Sequence, residues 1–176
     1  AYFTSHYDIK SMLRVLFNAD FFQSENVRYK KVKSPAEFVV GVLRKTGEFE
    51  RPRREMILRS RQLTWMGQEL NNPPSVEGWH QGMEWVDTGT LVERINFASE
   101  QFGDPRKPGV KAIIDRICAS GGDSSSSEQL VDLCLDQMGA ISVSDETRGA
   151  LIAFAEESDS SRQNVAQMLR LSASTR

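Results

Sequence analysis

Apolar residues recur along this chain at intervals of three and four, and nowhere do they alternate strictly over the length of a strand. That spacing belongs to amphipathic helices and predicts an all-α fold. The first helix is expected from about Tyr7 to Phe21, where Ile9, Met12, Leu13, Leu16 and Phe17 form one stripe and Asp8 stands near the positive end of the helix dipole. Such a stripe is expected to pack inward. Ser34-Pro35-Ala36-Glu37 marks the next start: an N-cap serine, a proline at the first helical position and a glutamate to close a capping box. This helix presents Phe38, Val39, Val42 and Leu43, holds Gly41 where close approach of a neighbour is expected, and stops at Gly47. Further helices are predicted at Arg53–Met66, Thr88–Phe102 with a cap from Asp87 or Thr88, Val110–Ala119, Ser126–Met138, Asp145–Glu156 and Ser161–Leu171. The expected architecture is an irregular multi-helical bundle of about eight helices.

Breakers divide the pattern. Asn71 to Val86 carries paired prolines, two glycines and the indoles of Trp79 and Trp85, so it reads as an ordered Trp/Pro/Gly-rich loop. Gly103-Asp104-Pro105-Arg106-Lys107-Pro108-Gly109 is the expected boundary between a core helical region, 1–103, and an acidic helical subdomain, 104–176. Ser120 to Ser127 reads as a flexible connector.

Composition then narrows the classes. With 176 residues, 39% of them apolar, the chain is long enough to build a core without a disulfide or metal staple. No apolar run approaches the roughly 18 residues that span a bilayer. Cys118 and Cys134 sit in apolar surroundings and are expected as buried thiols, with a disulfide only if the chain is exported. His6 and His80 are too few soft ligands for zinc, so no metal or cofactor is expected. The chain opens Ala1-Tyr2-Phe3-Thr4 without an initiator methionine, which leaves both cytoplasmic and exported locations open.

The net charge is −2, unevenly divided. From Arg28 to Arg61 eleven basic residues face four acidic ones, a balance of +7, while from Ser120 to Arg176 four basic face nine acidic, a balance of −5. The positive residues fall on several elements and are interleaved with glutamate, which disfavours nucleic acid as a partner and favours attraction between the two halves.

Lys33-Ser34-Pro35-Ala36-Glu37-Phe38-Val39-Val40-Gly41, Met66-Gly67-Gln68-Glu69-Leu70, Pro73 to Trp79, and Trp85 with Thr88-Gly89-Thr90-Leu91-Val92-Glu93-Arg94-Ile95-Asn96-Phe97-Ala98 occur in that order. Together they resemble the C-terminal part of the bacterial family known as domain of unknown function 1800, DUF1800. The resemblance implies a mostly helical protein of uncharacterised activity, a fragment of a longer bacterial chain whose partner would be its own missing N-terminal part. It supplies no catalytic residues.

Candidate chemistry is therefore sought in the loop. Trp79, His80 and Trp85, beside Glu77, Glu84, Asp87 and, one helical stretch on, Arg94, bring aromatic faces, an imidazole, carboxylates and a cation close in sequence. Indoles suit sugar rings, and paired carboxylates suit glycoside chemistry, so binding or hydrolysis of a carbohydrate-like ligand is one expectation. The other is a structural or interaction domain, in which the indoles bury themselves and the carboxylates serve nearby backbone amides or Arg94. Burial of the indoles separates the two.

Overall fold

The computed structural model describes residues 2–27, 30–48, 51, 53–122, 126–139, 143–158 and 161–174. Arg28 of the basic segment and Asp123 to Ser125 of the serine connector lie outside the described residues. Nine α-helices stand among the described residues: α1 Ile9–Phe17, α2 Asp20–Gln23, α3 Pro35–Thr46, α4 Met56–Trp65, α5 Thr88–Phe102, α6 Pro108–Ile117, α7 Ser127–Met138, α8 Asp145–Glu157 and α9 Arg162–Ser174. Among those residues there is no strand, only an isolated bridge between Ser75 and Gly78. The fold is an all-α multi-helical bundle.

Most helix ends follow from local chemistry. Ser34 Oγ accepts from the Glu37 amide at 3.3 Å while the Glu37 carboxylate accepts from the Ser34 amide at 2.9 Å, closing the expected box, and Pro35 opens α3. Gly47 ends it in the left-handed region at φ +68°. Ser126 closes a box of the same kind with Gln129 at α7, while Ser144 caps α8 by accepting from the Thr147 amide at 3.2 Å. α6 starts ahead of the expected Val110 because Pro108 takes the first helical position, and it runs on into a π-helical turn, Cys118–Gly122.

The N-terminal region differs from expectation twice. The single helix expected over Tyr7 to Phe21 is broken in two: the Asn18 side chain donates to the Arg14 carbonyl at 2.7 Å, and Ala19 is extended (φ −73°, ψ 141°), so α2 restarts after it. Nor does the apolar stripe pack inward, since no residue of α1 or α2 is buried.

The core is built from the remaining helices. α5 and α9 form the most extensive pair, with Phe97, Ala98 and Phe102 on α5 and Val165, Met168 and Leu169 on α9 all buried, while α7, α8 and α9 pack as a group. α6 adds Val110, Ile113, Ile114 and Ile117, and α3 supplies Val39 and Val42. Cys134 is fully buried on α7, where loss of water pushes its thiol up to about 12, and both cysteines are free. Gly41 corrects another expectation: a Cβ there would meet nothing within 4 Å. Close backbone approach occurs instead at Gly109, where a Cβ would come within 2.1 Å of the Lys45 carbonyl oxygen and 2.8 Å of the Gly47 nitrogen. α6 therefore begins directly on the end of α3.

Charge is also used differently from the expectation. No ion pair among the described residues joins the basic segment to the acidic one. Glu48 instead accepts from Arg59 at 3.0 Å and Lys107 at 2.8 Å, Arg148 pairs with Asp132, and Arg162 pairs with Asp115. Among the described hydrogen bonds, the two segments meet at Lys45, whose Nζ donates to the Met138 carbonyl at 2.6 Å at the end of α7.

Candidate functional site

The Trp-rich loop leaves α4 through Gly67 at φ +92° and Asn71 at φ +64°, and it is tied down before it reaches α5. Trp79 Nε1 donates to the Glu69 carbonyl at 3.3 Å, and Asn72 donates to the Glu69 carboxylate at 2.8 Å. Ser75 to Gly78 forms a tight turn, with the Gly78 amide donating to the Ser75 carbonyl at 3.1 Å. A short 3-10 turn, Gly82–Trp85, then buries the Trp85 indole to 5% exposure. Its carbonyl accepts from Thr90 Oγ1 at 3.1 Å.

The fold brings three of the expected residues together. His80 Nδ1 lies 3.4 Å from Glu84 Oε2, and the His80 ring meets Trp85 edge-on with centroids 6.1 Å apart. This cluster stands on the surface, with the His80 and Glu84 side chains 54% and 68% exposed. Trp79 is half-buried, its N–H spent on Glu69. Glu77 lies exposed on the turn.

Asp87 and Arg94 go elsewhere. Asp87 Oδ1 accepts from the Thr90 amide at 2.8 Å, and that bond holds its carboxyl below the usual value; the residue is the N-cap of α5. Arg94 is buried on α5, its guanidinium 5.4 Å over the Phe38 ring and its Nη2 donating to the Lys33 carbonyl at 3.0 Å. Burial pushes it below the ordinary arginine value. Among the described residues no group of three His, Cys, Asp or Glu side chains is placed to hold a metal ion.

Over residues 1–175 the chain matches the model of a family described as protein of unknown function (DUF1800). The chain belongs to the DUF1800 family. No curated protein and no solved structure matches it. The activity of this DUF1800 chain is uncharacterised, and no helix among its described residues is long and apolar enough to cross a membrane.

Two further features of the DUF1800 chain depend on the fold: one was not read from its sequence, and the other was read there but expected to be buried. A polar cleft of about 820 Å³ lies between Arg59, Glu100, Asp104, Arg106 and Arg170. Its charges are largely paired, Arg59 with Glu48 and Glu100, and Arg106 with Asp104 at 2.9 Å. Sequence spacing does not predict this cleft, because its walls come from α4, α5, α9 and the turn after α5. The second feature is the N-terminal arm. Ile9, Met12, Leu13, Leu16 and Phe17 on α1, with Phe21 and Phe22 on α2, all remain exposed, Ile9 at 59% and Phe21 at 62%. The sequence does show this stripe; what it lacks is any sign that the bundle would leave it uncovered.

Proposed function

We propose that this DUF1800 chain is a helical interaction domain that presents the apolar face of α1 and α2 to another polypeptide surface, the N-terminal part of a longer chain that the family resemblance implies. The exposed α1 stripe carries this reading. Between Tyr2 and Val27 twelve large apolar side chains are exposed. A fully buried aromatic covers about 150–250 Å². Six of the twelve are aromatic, and at roughly half that area for each of these and somewhat less for each aliphatic one, the arm leaves on the order of 1,000 Å² of apolar surface in water. The largest apolar patch of an ordinary monomer is about 300–600 Å², while a stable interface takes about 800 Å² from each partner. The hydrophobic effect therefore favours covering this face. The Trp-rich loop lends more support to a structural role than to carbohydrate binding, because Trp85 is sealed and the Trp79 N–H is occupied within the chain.

The test is a paired substitution, Leu16→Asp with Phe17→Asp. The wild-type chain is expected to bind a hydrophobic dye, and the upstream polypeptide added in trans is expected to displace the dye and form a one-to-one complex by light scattering. The double variant should lose the dye and the complex while keeping its melting temperature, because neither side chain belongs to the core. A melting temperature lowered by the variant would mean that α1 packs on the bundle. Self-association alone, with no complex, would make a second copy the occupant. Either result overturns the assignment.

A further inference from the structure

A crevice of about 250 Å³ opens between α3, α5, α9 and the end of α7. Phe38, Val42, Ala98, Phe102 and Met138 give it apolar walls, and Gly41 leaves one side without a side chain. At about 30 Å³ for each water-sized group, it has room for about eight such groups.

The charges around it share one sign. Lys33 and Lys45 are lining residues. Arg94 stands behind the same wall, stacked on Phe38 and bonded to the Lys33 carbonyl. Arg94 is 6% exposed, and its buried Nε has no acceptor among the described residues. No described carboxylate lies within ion-pair distance of Lys33, Lys45 or Arg94. A cation this deeply buried is costly without a counter-charge. Lys45 answers in part to the α7 carbonyls, while Lys33 makes no side-chain hydrogen bond among the described residues.

We infer that this crevice binds a small amphipathic anion, a carboxylate on a short apolar chain, with the chain between Phe38, Ala98 and Phe102 and the carboxylate beside Lys33 and Lys45. Apolar walls favour the chain by removing it from water, and the cationic rim fixes its orientation. A phenyl, alkyl or acyl body without charge would leave the rim uncompensated, and a bare inorganic anion would leave the walls wet. Both halves of the ligand are therefore required. This inference does not depend on the interaction reading of the N-terminal arm.

The probe is octanoate, measured by calorimetry and by thermal shift, with octanol and acetate as controls lacking one half each. Octanoate is expected to bind saturably at one site and raise the melting temperature, and neither control should do so. Lys33→Ala with Lys45→Met should weaken octanoate at least about tenfold, the loss of one charge-assisted hydrogen bond. Gly41→Leu should fill the crevice and abolish binding while the fold is retained, because a Cβ there meets nothing within 4 Å. The Leu16→Asp, Phe17→Asp variant should bind octanoate normally. Equal shifts with octanol, unchanged binding in the Gly41→Leu variant, or loss of binding in the arm variant would each overturn the proposal.

Discussion

Two glycine-to-alanine substitutions should move stability in opposite directions, for reasons that can be worked from neighbouring atoms. At Gly109 an added Cβ would sit 2.1 Å from the Lys45 carbonyl oxygen, 2.5 Å from the Thr46 carbonyl carbon and 2.8 Å from the Gly47 nitrogen. All three are backbone atoms, so no side chain can swing away. To restore a contact of about 3.4 Å, α3 and α6 must separate by roughly 1.3 Å, loosening Val39 and Val42 from Val110 and Ile113. Overpacking of this kind costs about 1–3 kcal/mol, and the upper end is expected where backbone meets backbone. At Gly41, within α3, a Cβ meets nothing within 4 Å. Alanine there should stabilise by about 0.5–1 kcal/mol, through helix propensity and a less flexible unfolded chain. Urea titrations followed by circular dichroism would measure both, with wild-type slopes confirming an unchanged unfolding reaction. A neutral Gly109→Ala would refute the argument, as would a destabilising Gly41→Ala.

Other substitutions test single features. Trp85→Ala should cost about 3–5 kcal/mol by opening a cavity, whereas Trp79→Ala, at a half-buried position with one hydrogen bond, should cost distinctly less; equal losses in chemical denaturation would contradict the burial difference. Ser34→Ala should cost about 1 kcal/mol by freeing the Glu37 amide, and an unshifted denaturation midpoint would show that the box contributes nothing. Burial alone would raise the Glu48 carboxyl, but Lys107 and Arg59 more than offset that and hold it below its ordinary 4.5. Its folded value is therefore the depressed one, so its contribution is present above the unfolded pKa and is lost as pH falls through the lower folded one. A pH series of thermal melts should show this loss below 4.5, and Glu48→Gln should flatten that part of the profile.

What was legible in the sequence was chiefly what is decided within a few residues. The box at Ser34, the cap at Asp87 and the stop at Gly47 each depend on a side chain or a left-handed glycine beside the helix end, and each formed as expected. Gly41 and Gly109 look alike as letters, yet their roles depend on which backbone lies opposite, and that is set by how α3 meets α6. Arg94 illustrates the same limit: it was grouped with the loop because it follows it, but its acceptor is the carbonyl of Lys33, 61 residues away. On α1 the periodicity gave the apolar face, but the helix expected over Tyr7 to Phe21 opens only after the Asp8 cap and closes at Asn18, with Ala19 extended before α2. Whether that face is covered is a property of the surrounding bundle, which the helix's own residues do not encode.

The pairing of α5 with α9 also bears on how the chain is made. During synthesis α5 leaves the ribosome long before its principal partner, so although Phe97 can already meet Phe38 and Arg59, the side of α5 with Ala98 and Phe102 stays uncovered until α9, Arg162–Ser174, has emerged. Every nascent chain must pass through that interval with this side of α5 unprotected. A stop codon just before Arg162 would make the interval permanent, producing a polypeptide with most of its helices and no means of closing them. Products that stop before Arg162 should therefore expose the face of α5 that α9 covers, and be held by chaperones and cleared by proteases faster than chains that include it.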